Sequence, residues 1–295
     1  MIRRTMVVAL LAGWCAYAGG VPGSGRGRRR AGTDRFKPSP NVVRVAVIGG
    51  MGMTGMWDAV AKRFEAKTGL KVVVVAAGQR PILAKAFREG KADLLTMHSG
   101  DITTDLVADG YGTRMRPWTR NDIVIVGPPS DPAKIKGLKS ADEAVRRIAE
   151  AKAKFVDCYS IGPRETWHRA CHRAGVDRKG DWVLRDQATD KHNILLFAQK
   201  HNAYVVVGRM PVLFGKMPSG EMTIMVDADP AWRRPYVVME ANPARLPKAN
   251  HKGARALADF LLSEDTQRFL ATFRAKEFGG VPLFHPIWPF DRRTH

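Results

Sequence analysis

The run Val42-Val43-Arg44-Val45-Ala46-Val47-Ile48 leads directly into Gly49-Gly50-Met51-Gly52-Met53-Thr54-Gly55, and then into Met56, Val60, Ala61 and Phe64 at helical spacing. The short apolar run reads as a strand, the glycine run as a turn, and the spaced apolar positions as a helix. Gly69 closes that helix, and a second strand follows at Lys71 to Ala76. Strand, helix and strand joined this tightly make a βαβ unit, which places the chain in the α/β class with a largely parallel sheet.

The alternation continues outward. Helices are expected at Pro81 to Glu89 and Asp101 to Ala108, and strands at Ala92 to Met97 and Ile123 to Val126. Past Pro132 a smaller version begins. It has helices at Ser140 to Ala151, after the Gly162-Pro163 loop to Ala174, and at Ile194 to Lys200, with strands at Phe155 to Asp157, Tyr204 to Val207 and Met222 to Val226. A strand at Tyr236 to Glu240 and helices at Lys252 to Ser263 and Glu264 to Phe273 complete the series. No repeat of 20 to 50 residues recurs, so two α/β lobes fit better than a solenoid or propeller.

Composition agrees. The 295 residues are 45% hydrophobic, enough to bury a large core, and 48 Lys and Arg against 28 Asp and Glu give a net charge of +20. The first 40 residues hold eight basic residues and one acid, Asp34, so seven of those charges precede the folded part and thirteen belong to it. A basic surface attracts oxyanions, acidic lipids and nucleic acid alike, so charge alone selects no partner.

Arg3 and Arg4, the apolar run Met6 to Trp14 and the small-x-small Ala16-Tyr17-Ala18 read as a signal peptide over residues 1–18. Trp14 ahead of Cys15 is too bulky for a lipidation box. Residues 19–41, rich in Gly and Arg, read as a basic disordered linker. No later stretch has the apolar length of a membrane span, so the chain is not expected to be an integral membrane protein. Cys158 and Cys171 are read as two separate buried thiols, with pairing as the alternative.

Three strand-to-helix loops carry the chemistry. In an open α/β sheet ligands bind at the carboxyl ends of strands, where free N–H groups and helix starts favour an anion. The first loop offers Gly49, Gly50, Met51 and Thr54; it has no Lys-Ser or Lys-Thr pair of a nucleotide loop and no full dinucleotide fingerprint, so no cofactor is expected. The second offers His98 and Ser99, adjacent in sequence and outside any nucleophile elbow, which speaks against a hydrolase. The third offers Ser160, Gly162 and Arg164, a guanidinium suited to an oxyanion or carboxylate. Thr54 and Ser99 also fit as helix caps, and Met51, Met53 and Met56 as packing residues. His168, Cys171 and His172 share one helical face without a fourth ligand, so no metal site is expected.

These stretches carry a resemblance. Phe64-Glu65-Ala66-Lys67-Thr68-Gly69-Leu70-Lys71-Val72, Lys91-Ala92-Asp93-Leu94-Leu95 with His98, Asp109-Gly110-Tyr111-Gly112 and Asn121-Asp122-Ile123-Val124-Ile125-Val126-Gly127-Pro128 resemble the substrate-binding proteins of tungstate-type ABC importers. So do Asn202-Ala203-Tyr204, Asn242-Pro243 and Leu262-Ser263-Glu264-Asp265-Thr266-Gln267, in the same order over residues 43–288. The resemblance implies a two-lobed type II periplasmic binding protein fold, each lobe a mixed sheet flanked by helices. Its two hinge crossovers would fall at Ile123 to Val126 and Tyr236 to Glu240, with lobe I at 42–122 and 240–290 and lobe II at 123–239. It implies a non-enzymatic periplasmic protein that captures a small anion such as tungstate or molybdate and meets an ABC transporter permease, with no nucleic acid partner.

The binding motifs depart from the family. Val47-Ile48-Gly49-Gly50 stands where the family has Thr-Thr-Thr-Ser, Cys158 stands near its arginine position, and Arg185-Asp186-Gln187-Ala188-Thr189 keeps only Gln187 of its Gly-Gln-Gly-Met-Gly stretch. Arg164 is the expected replacement cation. Other readings of the same fold are a small carboxylate binder, or a sensor or scaffold meeting an acidic partner.

Overall fold

The computed structural model describes residues 38–159, 161–186 and 192–290. The signal peptide, most of the linker, Ser160 and Gln187 lie outside the described residues. The linker's end is held: Ser39 bridges to Val42, and Asn250 Nδ2 donates to the carbonyls of Ser39, Pro40 and Val42.

The first sheet has the order β2-β1-β3-β10-β4, built from β1 Val42–Ile48, β2 Lys71–Gly78, β3 Leu94–His98, β4 Gly112–Asn121 and β10 Arg234–Ala241. The second has the order β7-β6-β8-β5-β9, from β5 Ile123–Gly127, β6 Phe155–Asp157, β7 Val183–Arg185, β8 Tyr204–Gly208 and β9 Thr223–Val226. In the first sheet β1, β2 and β3 run parallel as the βαβ reading requires, while β10 is antiparallel to β3 and β4. In the second, β6, β7 and β8 are parallel and β5 is antiparallel to β8 and β9. Both sheets are therefore mixed, because the strand that enters each lobe from the other runs against its neighbours.

Those entering strands correct the expected crossovers. All of β5 belongs to the second sheet and all of β10 to the first, so the chain crosses at Asp122 and again over residues 227–233, and returns to the first lobe at Arg234, earlier than 240. Sequence patterning also misses β4. Its Arg114, Arg116, Pro117 and Arg120 lack strand alternation, but β4 is an edge strand, where prolines and charges are tolerated.

The helices of the first lobe are α1 Gly49–Met53, α2 Met56–Thr68, α3 Arg80–Arg88, α4 Asp101–Ala108, α9 His251–Leu261 and α10 Glu264–Thr272; those of the second are α5 Ala141–Glu150, α6 Ile161–Ala174, α7 Ile194–Lys200 and α8 Arg209–Leu213. They cover both faces of each sheet. In the first lobe Val45, Val47, Trp57, Phe64, Phe87, Leu257 and Phe284 form one continuous core. The second sheet has a core on each face, one around Phe155, Trp167 and Tyr204, the other around Val156, Leu195 and Val205. Arg44, in the middle of β1, is buried without disrupting the core because Asp93 takes its Nε at 3.1 Å and its backbone N–H at 2.8 Å.

The crossovers meet in a second buried charged cluster. Asp122 faces His285 Nε2 at 2.7 Å and Arg233 Nε at 3.4 Å, so a residue of each crossover and one of the C-terminal segment are tied together. Arg209, at the start of α8, donates its backbone N–H to the Asp122 carbonyl and pairs through Nε with Asp227 Oδ1 at 2.8 Å. Cys158 and Cys171 are both free and buried. No described helix is long and apolar enough to cross a membrane.

Candidate functional site

Strand direction gathers one set of loops. The carboxyl ends of β1, β2 and β3 lie on one edge of the first sheet and lead to Gly49-Gly50, Gln79-Arg80 and Ser99-Gly100. Because β10 is antiparallel, its amino end, Arg234 to Tyr236, falls on that same edge: Tyr236 pairs with His98, and Pro235 O accepts the Ser99 N–H at 3.1 Å. From the second lobe, the start of α6 at Gly162 and of α8 at Met210 approach the same place. A Cβ on Gly50 would lie 3.6 Å from Met210 Cε and 3.9 Å from the Tyr236 hydroxyl. One on Gly162 would overlap the Arg234 guanidinium, with Cζ at 2.8 Å. The turns of both lobes thus converge on Arg234 and Tyr236, residues i and i+2 on one face of β10.

The glycine turn is more structured than its sequence suggests. Gly49 to Met53 forms the short helix α1 directly on the end of β1, and Gly55, at φ +73°, resets the chain for α2. The first N–H groups of α1 have no carbonyl within the helix to bond, so Gly49, Gly50 and Met51 present backbone donors at its start. The Met51 side chain points the other way, into the core. The Thr54 hydroxyl donates to the carbonyls of Gly50 at 3.0 Å and Met51 at 3.1 Å, the bonding of the capping alternative, and closes α1.

His98 lies flat on Tyr236, with ring centroids 4.1 Å apart and planes 28° apart. Ser99 follows, and Gly100 takes φ +152°, a conformation that side chains resist; a Cβ there would also stand 2.9 Å from Arg80 Nη1. The loop therefore needs glycine twice over, for its backbone and to let Arg80 lie across it. The Tyr236 hydroxyl is fully buried with no hydrogen-bond partner among the described residues. Burial pushes its pKa above the ordinary tyrosine value, so it stays a neutral donor.

Arg234 is a buried cation with a second cation nearby. Burial lowers its pKa from the usual arginine value, the charge of Arg80 lowers it further, and Tyr236 and Glu165 act in the opposite sense. A guanidinium remains protonated through such a shift, so the arrangement holds a partly desolvated positive charge beside a second one.

Arg164, the cation expected from the sequence, is engaged within its own lobe. Its Nη2 donates to the carbonyls of Asp157 at 3.3 Å and Asp186 at 3.2 Å, and its Nε lies 3.3 Å from Asp157 Oδ1. It ties the ends of β6 and β7 together and faces an outer cavity of about 650 Å³ shared with His168, His172, Arg178 and Arg185. Helical spacing explains the split: residues 162, 165, 166 and 169 share one face of α6, and residues 164, 168 and 172 another. His168 Nε2 is 3.1 Å from Asp157 Oδ2, and Cys171 is buried in the core, its thiol pushed up to about 12 chiefly by burial. No group of three or more potential metal ligands occurs among the described residues.

Sequence reasoning missed Arg80, Arg234 and Tyr236. The signal for Arg80 was present, since Gly78-Gln79-Arg80-Pro81 is a further strand-to-helix turn on the same sheet edge. Arg234 and Tyr236 were hidden because β10 approaches that edge with its amino end.

The profile of the bacterial extracellular solute-binding protein family matches residues 45–273. An ABC transporter anion-binding protein of Haloferax volcanii is 31% identical over 79% of this chain and 68% of its own length. A tungstate-binding protein of Peptoclostridium acidaminophilum is 30% identical over 79% of this chain and 81% of its own. In structure, the tungstate-binding protein of Desulfovibrio alaskensis superposes with a TM-score of 0.67 at 24% identity, over 83% of this chain and 98% of that one.

Proposed function

Since the chain belongs to the bacterial extracellular solute-binding protein family, we propose that it is the periplasmic capture component of an ABC importer and closes its two lobes on a small oxyanion of the tungstate or molybdate kind. The ligand is held by backbone N–H groups at Gly49, Gly50 and Met51, by the Ser99 region beside His98, and by the start of α6 at Gly162; Ser160 and Gln187 are proposed with them from the sequence alone. In this reading the protein binds the anion and releases it to a permease, a role supported by relatives that are binding proteins of transporters. One observation carries the reading: a helix start from the second lobe and a desolvated guanidinium from the first meet at Gly162 and Arg234. Helix starts and guanidinium groups both favour negative charge, and a ligand that bridges them also holds the lobes closed.

The relatives support the ligand class, since two of them are an anion-binding and a tungstate-binding protein of transporters. Calorimetric titration of the purified mature chain with tungstate, molybdate, sulfate and phosphate tests the proposal. Tight binding of at least one, with a rise in melting temperature under excess ligand, is expected. A ligand at about 100 times its Kd adds about 2.7 kcal/mol of stability. No heat and no thermal shift with any of them refutes it.

A further inference from the structure

Two arginines reach the same sheet edge from different strands. Arg80 starts α3 after β2 and lies against Gly100, whose residue 99 neighbour is bonded to Pro235, next to Arg234. Neither has a hydrogen-bonded or ion-paired carboxylate among the described residues, although many of this chain's arginines do, as Arg44, Arg116, Arg147, Arg173, Arg209 and Arg255 show. Beside Gly50, on the same strand as Arg234, lies the fully buried, unpartnered Tyr236 hydroxyl. Two neighbouring cations repel each other: burial is the first cause that lowers the pKa of Arg234, the charge of Arg80 is the second, and Glu165 offsets them without pairing with either arginine. A fold keeps such a pair when a ligand supplies the missing charge.

We propose that Arg80 and Arg234 form one two-cation receptor, with the Tyr236 hydroxyl as a third donor, and that this receptor selects its ligand by charge: tetrahedral oxyanions bearing two negative charges bind, and singly charged ones of the same shape are rejected. The inference rests on the proposed function above and adds the residues that decide between ligands. The positive charge that the binding site requires is supplied from the first lobe, through β10 and α3, while Arg164 stays engaged with Asp157 and Asp186.

A dianion neutralises both guanidinium groups, whereas a monoanion leaves one uncompensated in a poorly solvated setting. Discrimination on the order of 100-fold or more is expected from that difference. The test compares tungstate with perrhenate, tetrahedral oxyanions of closely similar size that differ by one charge, at neutral pH and constant ionic strength. The proteins are the full mature chain, its Arg80→Gln, Arg234→Gln and Arg234→Lys variants, and Arg178→Gln as a charge-matched control beyond the far end of α6. The wild-type chain should prefer tungstate by about 100-fold or more. Each glutamine variant should lose about tenfold or more of tungstate affinity while perrhenate changes by about threefold or less, so that the ratio collapses. Arg234→Lys should keep most of the ratio, and Arg178→Gln all of it. Melting temperatures of the ligand-free glutamine variants should equal or exceed the wild-type value, because each removes a repelling charge.

Equal binding of the two anions by the wild-type chain overturns the charge receptor and leaves the proposed function standing. So does a ratio that survives in both glutamine variants. A wild-type chain that binds no tetrahedral oxyanion at all overturns the proposed function and this inference with it.

Discussion

Gly162→Ala separates binding from folding. The added Cβ would overlap the Arg234 guanidinium, standing 2.8 Å from Cζ and 3.3 Å from Nη2. Ordinary contact requires the guanidinium to retreat by about 1 Å, because overpacked atoms are relieved by moving the least constrained group. A long side chain with no ion-pair partner is that group, so the helix stays and Arg234 moves. The displaced guanidinium then loses its charge-assisted contact with the ligand, about 1.5–3 kcal/mol, which is about 10- to 150-fold in Kd. Stability should hold or improve, since Ala favours a helix over Gly by up to about 1 kcal/mol and Gly162 has no positive φ to defend. Calorimetric titration with tungstate and a thermal melt of the ligand-free protein measure the two quantities separately. Affinity within about threefold of wild type would mean that the start of α6 and Arg234 do not hold the same ligand, since that change is below one lost contact. A fall in melting temperature of the ligand-free protein would mean that the overlap strains the fold instead of displacing the side chain.

Other expectations follow from the packing. With Cys15 replaced by Ser, neither Cys158 nor Cys171 should react with a thiol reagent at pH 8 in the native state, because both are buried and Cys171 is pushed up to about 12; both should react in denaturant, and fast native labelling would contradict their burial. Trp167→Ala should destabilise by about 3–5 kcal/mol in urea titration, since the indole is buried and stacks on Phe155 at 3.5 Å; a loss below about 1 kcal/mol would refute that packing. Asp142 is held below the usual carboxylate range, first by the Arg173 guanidinium, whose Nε and Nη2 lie at 2.7 Å, against burial, and then by the Trp232 N–H. Its contribution is present above its unfolded pKa of about 3.9 and is lost as the pH falls through its lower folded value. The melting-temperature gap between wild type and Asp142→Asn should therefore be constant near neutrality and close at strongly acidic pH; a gap that persists there would refute the pairing.

What was legible in advance, and what was not, has a consistent physical basis. The Val42 to Ile48 run and its glycine turn announced the βαβ start, because a strand buried on both faces is mostly apolar, Arg44 being the exception that Asp93 offsets. The family motifs gave two lobes and an anion ligand, and the glycine loops of both lobes do converge. β4 was illegible because an edge strand tolerates Arg and Pro, so its sequence carries no alternation to read.

The site charges depended on tertiary structure for a different reason. Loop position along the chain reveals which backbone donors precede a helix, but not which way a side chain leaves that helix. Arg164 turns to Asp157 and Asp186, while Gly162, two positions earlier, faces Arg234. Arg234 reaches the carboxyl-end edge only because β10 runs antiparallel between β3 and β4, a pairing between residues more than a hundred positions apart. Local physics, which acts through neighbours in sequence, thus settled the class of protein and the helix starts that favour an anion. Strand direction and sheet order, which act between distant segments, decided which cations share the edge where those helix starts lie.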